Sequence, residues 1–535
     1  MAHVSAAGLA YAHPGGDTLF EELSFVISPG QKVAIVGANG VGKSTLLRVL
    51  AGELAPAEGT ATVGGRLARM AQDVGETDPE ATVRELLLAG APDAVAAAGR
   101  RMLAAERALA DGAPAEEAGV ALGEAIGDWS ELGGYELEAA WDAACRRIVG
   151  DGLSAVGDLP CATLSGGERK RLVLDVLLRG DADVLLLDEP DNYLDIPAKR
   201  ELERAVRTTP KTVLIVSHDR AVLSACATHV LTIEGRGCWI HGGSYADYPE
   251  ARERRQELMG DRLQRWNDEE KRLRELVRTF KERARYHDSW ARKADAMESR
   301  WRRWVDAGPP PPPVQDHAPT MRLRGGDSAR RVITLERLAI PGLLAPLTDE
   351  IRFGERVGLV GPNGTGKTHL LRALAGQDVG QEGRCEHGPR VSPGLFTQHH
   401  DRATALGAEA VLDAALDGTN GALEPAMRSL ARYGLVDAAR RPVGTLSGGQ
   451  KARLEILLLE LAGHNLLLLD EPTDNLDVES CEALETALDG FEGTVVAVSH
   501  DRTFLRRLDR FLLVPTDGPV APLAGPDEAL AALGG

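Results

Sequence analysis

The chain carries the same series of short segments twice, in the same order. "VGANGVGKST" (36–45) returns as "VGPNGTGKTH" (360–369), and "TLSGGERKRL" (163–172) returns as "TLSGGQKARL" (445–454). "VLLLDEPDNYLD" (184–195) returns as "LLLLDEPTDNLD" (466–477), and "VSHDR" (216–220) as "VSHDR" (498–502). Ser165, Asp188 and His218 each stand 282 positions before Ser447, Asp470 and His500. A repeat of this length marks a duplicated domain, so the 535 residues divide into two homologous halves and a separating segment. The halves are assigned to 1–247 and 326–535, with the separating segment at 248–325. "GPPPPP" (308–313) lies near its end; five prolines cannot continue a helix and favour an extended strap.

The halves differ in one respect. From Gln72 to Ser165 the first advances 93 positions, whereas from Gln398 to Ser447 the second advances 49. The surplus includes "AVAAAGRRMLAAERALA" (94–110), alanine-rich with helical spacing, which predicts an enlarged helical subdomain over about 73–160. An additional interaction arm is the other reading.

Composition sets the class. With 43% apolar and 26% charged residues the sequence reads as globular, and no run approaches the ~18 apolar residues that a membrane span requires. The N-terminus lacks a charged start followed by an apolar stretch, and six dispersed cysteines form no CxxC pair. Both fit a reducing, cytoplasmic setting and argue against a disulfide framework, a zinc site or an iron–sulfur cluster. The net charge of −19 argues against general affinity for nucleic acid, though not against a local basic patch.

The repeated segments carry phosphate chemistry. G-x-x-x-x-G-K-[ST] occurs at Gly37–Ser44 and Gly361–Thr368, each time after a β-branched run and before a leucine-rich helix. Gly37, Gly40 and Gly42 with Asn39, and Gly364, Gly366 and Gly361 with Asn363, let the backbone turn tightly and aim N–H groups at phosphate oxygens. Lys43 and Lys367 are placed to reach the β- and γ-phosphates, and Ser44 and Thr368 to ligate Mg²⁺, with Thr45 beside the loop. Asp188 and Asp470 end apolar strands and would orient the Mg²⁺. Glu189 and Glu471 follow as candidates to polarise the attacking water. His218 and His500, each after a further β-branched run, would meet the γ-phosphate. In "LSGG", Ser165, Gly166 and Gly167, and Ser447, Gly448 and Gly449, offer a hydroxyl and N–H groups at a helix start, a second anion site. Each half already has its own phosphate loop, so this second site predicts a head-to-tail sandwich: Lys43 with Ser447 around one ATP, and Lys367 with Ser165 around the other.

These segments resemble the ATP-binding cassette superfamily, whose five signatures occur here in order, twice. The resemblance implies an ATPase using ATP and Mg²⁺. It implies that Gln72 ("MAQD") and Gln398 ("FTQH") contact the metal and sense the γ-phosphate, and that Tyr11 stacks on adenine. The second half has no aromatic in "LERLAIPGLLAPL" (335–347) to match Tyr11. Asp191, Tyr193, Asp474, Asn475 and His369 depart from the usual pattern, which puts equal turnover at the two sites in doubt.

The separating segment reverses the charge of the rest. Between Lys271 and Arg303 there are twelve Lys/Arg against five Asp/Glu, and Trp290, Trp301 and Trp304 lie near its basic end. Apolar residues at three-, four- and seven-residue steps predict helix from Tyr248 to Trp304, apart from Gly260, with a break near Arg283–Ser289 that makes a hairpin. A solvated connector, or a surface for a membrane or an acidic protein, would explain the charge. Structured RNA explains the aromatics as well, because guanidinium forks suit phosphates and flat rings stack on unpaired bases.

Two cassettes, a charged helical linker opening with "GGSYADYPEARERR" (242–255) and no membrane span together resemble the ABC-F family over essentially the whole chain. The fold class so implied is α/β: two tandem P-loop ATP-binding cassette domains joined by a long α-helical hairpin linker, without a transmembrane domain. The family binds the 70S ribosome at the exit-tRNA site, with the linker reaching toward P-site tRNA, rRNA and the peptidyl-transferase centre. By this resemblance Lys281, Arg283, Arg285, Trp290, Arg292 and Lys293 are the RNA-facing candidates, on a monomer that closes its sandwich within one chain. Antibiotic resistance by ribosome protection is the leading expectation. A housekeeping translation factor and a transporter's ATPase subunit are the alternatives.

Overall fold

The computed structural model describes residues 3–13, 15–16, 18–71, 74, 81–112, 114–286, 290–314, 319–398 and 400–534. Contacts divide the chain into two compact units, Met1–Gly242 with Ala318–Gly535, and Gly243–His317.

Both halves of the first unit are built on a six-stranded sheet. The order in one is Leu67–Met70, Val184–Asp188, Thr212–Val216, Lys32–Val36, His229–Glu234 and Gly237–Gly242. In the other it is Pro393–Phe396, Leu466–Asp470, Thr494–Val498, Arg356–Val360, Arg510–Leu513 and Ala521–Leu523. In each sheet the first five strands run parallel and the last antiparallel. Runs such as "VLLLD", "TVLIV" and "LLLLD" lack alternation because both faces of a central parallel strand are covered, and every residue of these strands is buried. Each half adds an antiparallel three-stranded sheet, ordered Thr18–Ile27, Val4–Ala12, Glu58–Val63 in the first and Leu344–Arg352, Arg331–Ile340, Glu382–His387 in the second. The phosphate loops leave the carboxyl ends of Lys32–Val36 and Arg356–Val360, where open parallel sheets gather their ligands.

The surplus in the first half is helical. Asp93–Ala110, Ala115–Glu131 and Gly134–Ile148 stand between Met70 and the LSGG helix, where the second half has Asp401–Leu406, Val411–Gly418 and Leu423–Arg432. Two tryptophans make their own small core: Trp129 and Trp141 are each 1% exposed, with ring centroids 6.0 Å apart. The backbone at Gly134 comes so close that an added Cβ would lie 2.1 Å from Trp129 Cδ2. Gly134→Ala must therefore displace the indole, and a loss of about 1–3 kcal/mol is expected in a denaturant melt. An unchanged midpoint would show that this packing does not hold the insert together.

The second unit is a helical hairpin of Tyr248–Ala284 and Ala291–Asp306. The first arm, 37 residues and about 55 Å long, passes through Gly260 without interruption. A single glycine costs a helix only about 1 kcal/mol, which the neighbouring turns absorb. The arms are antiparallel: Trp266 stacks on Trp304 at 6.3 Å, Trp301 Nε1 donates to Glu270 at 3.0 Å, and Phe280 meets Trp290 at 5.5 Å. Leu273, Val277 and Ala294 are buried. The strap's downstream end belongs with the second half, where Met321 and Leu323 enter the core and Thr320 N donates to the Arg432 carbonyl at 2.8 Å.

Candidate functional site

The left-handed glycines of both phosphate loops are enforced by packing. Gly37 has φ 153°, and a Cβ there would lie 2.5 Å from the Ile233 carbonyl oxygen; Gly361 (φ 151°) would meet that of Val514 at 2.1 Å. Gly40, Gly42, Gly364 and Gly366 also have positive φ. Lys43 is buried and donates to the carbonyls of Gly37 (2.7 Å) and Ala38 (3.2 Å); Lys367 donates to those of Gly361 (2.8 Å) and Pro362 (2.6 Å). Burial holds both ammonium pKa values below the usual range. Thr45 lies in the helix Lys43–Leu50 that follows the first loop.

Ser44 Oγ donates to Asp188 at 3.0 Å, and Thr368 hydrogen-bonds Asp470. Burial, with Glu189 adjacent, pushes Asp188 up to about 6, and burial raises Asp470 as well. Carboxylates so disfavoured as lone anions suit a divalent cation, which would supply the missing positive charge. Gln398 donates to Asp474 at 3.1 Å, whereas Gln72 lies outside the described residues. Tyr11 is buried, edge-on to His13 at 5.5 Å and tilted against Phe20 at 6.2 Å. Phe20, which sequence reasoning passed over, packs on the loop itself: a Cβ at Gly42 would be 3.0 Å from its Cδ1, and Leu343 stands at the matching place beside Gly366.

The halves meet reciprocally. A Cβ at Gly449 would lie 2.7 Å from Asn39 Nδ2, and one at Gly167 would lie 3.9 Å from Asn363 Nδ2. Asn39 N donates to Asp477 (3.2 Å) and its side chain to the Asn475 carbonyl (3.3 Å); Asn363 donates to the Tyr193 carbonyl at 3.2 Å. Each loop thus faces the LSGG and post-DEP segments of the opposite half. Ser165 and Ser447 cap their own helices, their Oγ atoms accepting from Glu168 N (3.2 Å) and Gln450 N (3.3 Å) while their own N–H groups donate to the Glu168 (2.8 Å) and Gln450 (3.1 Å) side chains. Gly166 and Gly448 begin the capped helices. Arg220 pairs with Glu485, and its counterpart Arg502 with Glu203, across the same contact.

At the centre of this contact lies one lysine. Lys199 Nζ donates to Asp219 at 2.9 Å and to the His500 carbonyl at 3.2 Å, with Asp191, Asp474 and Asp501 also acting on it or through it. Burial would lower its pKa, but Asp219 and Asp191 hold the ammonium well above its usual range. The equivalent residue of the second half is Cys481, so four carboxylates share this ammonium. Its sequence signal was scarcity: the chain uses 51 arginines but ten lysines, and Lys32, Lys43, Lys170, Lys199 and Lys367 are buried. Lys199→Met should destabilise the protein by about 3–5 kcal/mol in a denaturant titration, because it strands those carboxylates. A loss below 1 kcal/mol would remove Lys199 from this role.

The two glutamates differ. Both have φ 48°, a left-handed strain held by backbone bonds to Val216 and Val498 (2.9 Å each). Burial pushes Glu189 up, but His218, 3.4 Å away, together with Lys170 and Lys43 outweighs it and the net shift is down; Asn192 donates to Glu189 at 2.7 Å. Glu471 is driven up to about 8 by burial and by Asp474 and Asp470, despite His500 N donating at 2.9 Å. His500 Nε2 lies 2.9 Å from Asn363 Oδ1, and burial keeps its pKa well below the ordinary value. For Glu471, between the ordinary 4.5 and about 8, the native state holds a proton that the unfolded chain has lost, so stability falls as pH rises through that window. Glu189, shifted down, contributes stability above 4.5 that disappears as pH drops through its folded value. Glu471→Gln should therefore raise the melting temperature at pH ~8.5 with little effect at pH ~5, and Glu189→Gln should lower it at pH ~7. Parallel pH profiles for the two variants would refute the asymmetry.

In the hairpin, Trp290 is held between Arg283 (5.1 Å) and Lys293 (4.5 Å), and Lys281 pairs with Glu298 at 2.6 Å. Arg285 and Arg292 are exposed, as is Tyr286 (82% exposed), which sequence reasoning did not single out. Trp290, Trp301 and Trp304 all take part in the hairpin's own packing. No helix among the described residues is long and apolar enough to cross a membrane.

Fold and paired sites define a tandem ATP-binding cassette ATPase, which converts ATP and water to ADP and phosphate. The family described as "ABC transporter" matches residues 20–192 and 344–474. An "Antibiotic resistance protein" of Mycobacteroides abscessus is 42% identical over 97% of this chain and 98% of its own length. The "Tylosin resistance ATP-binding protein TlrC" of Streptomyces fradiae is 33% identical over 94% and 95%, and the "Energy-dependent translational throttle protein EttA" of Mycobacterium tuberculosis 31% over 92% and 88%. Among solved structures, "RNase-L Inhibitor" superposes with a TM-score of 0.56 at 20% identity, covering 98% of this chain and 93% of that one, a likeness of fold. The chain belongs to the ABC-F family of ATP-binding cassette proteins.

Proposed function

We propose that this protein is a cytoplasmic, ribosome-directed ATPase that protects translation from an antibiotic. The observation that carries the reading is the reciprocal seating of each phosphate loop on the opposite half's LSGG segment. A nucleotide held there touches both halves, so binding joins them and loss of the γ-phosphate weakens the joint. Lys43, Asn39, Ser447 and Gly449 hold one ATP, and Lys367, Asn363, Ser165 and Gly167 the other. Ser44 with Asp188, and Thr368 with Asp470 and Gln398, are the groups fitted to Mg²⁺, which when bound neutralises developing phosphate charge. Glu189 and Glu471 orient and polarise the attacking water, and His218 and His500 steady them. The hairpin's basic turn, with Arg283, Arg285, Arg292 and Lys293, engages rRNA and tRNA near the peptidyl-transferase centre from the exit-tRNA site. The resistance assigned by name to two similar proteins supports drug protection; a general role in translation, supported by the throttle protein, is the second reading.

Glu189→Gln combined with Glu471→Gln should bind ATP without hydrolysing it and co-sediment with 70S ribosomes. Sedimentation free of ribosomes in ATP would end the ribosomal reading. Expression of the parent protein should raise resistance to a macrolide, lincosamide, pleuromutilin or phenicol. Unchanged susceptibility across all four, with ribosome binding intact, would transfer the assignment to general translation.

A further inference from the structure

Both halves carry a groove beside the LSGG helix, and in the second half it is filled by the strap's downstream end. There Pro319, Met321 and Leu323 are buried and alternate with exposed Thr320, Arg322 and Arg324, the period-two pattern of an extended chain on an apolar bed. Met321 and Leu323 join a core that contains Ile456, Leu476 and Leu484. The strap's backbone is fixed in place: Arg322 N donates to Glu460 Oε2 at 3.0 Å. Gly325 passes so close to Glu492 that an added Cβ would lie 1.9 Å from its carbonyl oxygen.

Counting back 282 positions carries this bed to the first half. Ile456, Leu476 and Leu484 become Leu174, Leu194 and Leu202, while Glu460 and Glu492 become Leu178 and Pro210. All five line one open cavity of 660 Å³, walled by the helices Gly166–Arg179 and Ile196–Thr208. Sites that bury a ligand have volumes of this order, about 300–1,000 Å³. No described segment of the chain lies in it as the strap lies in its counterpart.

The walls change sign between the halves. Arg147, Arg171, Arg179 and Arg204 line the first groove against Asp175 and Glu201, four guanidinium groups to two carboxylates. Where that groove has Arg179 and Arg204 the second half has Leu461 and Thr486, and its acids are Glu460 and Glu492. Asp175 is already paired with Arg147 and with Arg179 (2.9 Å), and Glu201 with Arg171 at 3.5 Å, so the groove keeps a positive excess. Arg171 Nε is buried without a hydrogen-bond partner. The equivalent Arg453 instead donates to the carbonyls of Gly449 (3.4 Å) and Tyr433 (3.2 Å). A buried donor left unmatched invites an acceptor.

We propose that the groove of Leu174, Leu178 and Leu202 docks an extended segment of a partner protein, with apolar side chains at alternate positions and Asp or Glu between them. The apolar side chains take the floor as Met321 and Leu323 do in the second half, and the carboxylates meet Arg171, Arg179 and Arg204. The strap of a second copy has the right alternation but the wrong charge, since Arg322 and Arg324 would stand among those guanidinium groups.

Two labelled peptides test the site on the full chain by fluorescence polarisation. One is residues 319–326; the other is the same peptide carrying Arg322→Glu and Arg324→Glu. The acidic peptide should bind at least tenfold tighter at low ionic strength, and salt should narrow the preference. Arg179→Glu with Arg204→Glu should weaken the acidic peptide about tenfold and tighten the basic one. Ala205→Trp, which fills the cavity without altering charge, should weaken the acidic peptide as well. An unchanged ATPase rate and thermal melt show that each variant is folded. Tighter binding of the basic peptide would overturn the acidic partner and assign the groove to a second copy's strap. Equal binding, no binding of either peptide, or an acidic preference that survives the variants overturns the docking site.

Discussion

Everything in the larger unit depends on a contact in which each phosphate loop is finished by residues from the opposite half. Neither half could be complete alone: Asn39 finds its partners in Asn475 and Asp477, and Asn363 finds its own in Tyr193. The middle of that contact is not apolar. It is a layer of carboxylates, Asp191, Asp219, Asp474 and Asp501, gathered about the ammonium of Lys199. Such a layer is weak glue by itself, because desolvating the ions offsets most of their attraction. It is sensitive to partner, however: two first halves would bring two lysines together, and two second halves would leave aspartates facing each other without a cation.

The same contact makes the two sites unequal. Where the first half has Asn192 to donate to its glutamate, the second has Asp474, a like charge that drives Glu471 up and draws Gln398 toward itself. One substitution in a short loop therefore changes the surroundings of both Glu471 and Gln398. Duplication supplied two copies of the chemistry, and divergence at a few interfacial positions gave them different thresholds.

The fold was legible because its signals are local and repeated. Buried strands announce themselves as unbroken leucine and β-branched runs, and the glycine-rich loops by the backbone they require. Pairing of Lys43 with the Ser447 side could be inferred from one anion site too many in each half. Lys199 could not be, since nothing near position 199 shows that it faces four acids from two domains. In the hairpin, Trp301 and Trp304 hold one arm to the other, a pairing that their positions in the sequence do not announce. Long-range partners are written in no local pattern, and polar ones least of all, because burial reverses what their composition suggests.

Those interlocked rings have an implication for how proteins of this architecture diversify. A pair of helices pinned at Trp266–Trp304, Glu270–Trp301 and Phe280–Trp290 cannot slide past one another, so its length is set. Arg285 and Tyr286, exposed past the last of these contacts, lie outside that constraint. Substitution can therefore remodel the hairpin's end while the arms keep their length, and a new surface there need alter only a handful of residues.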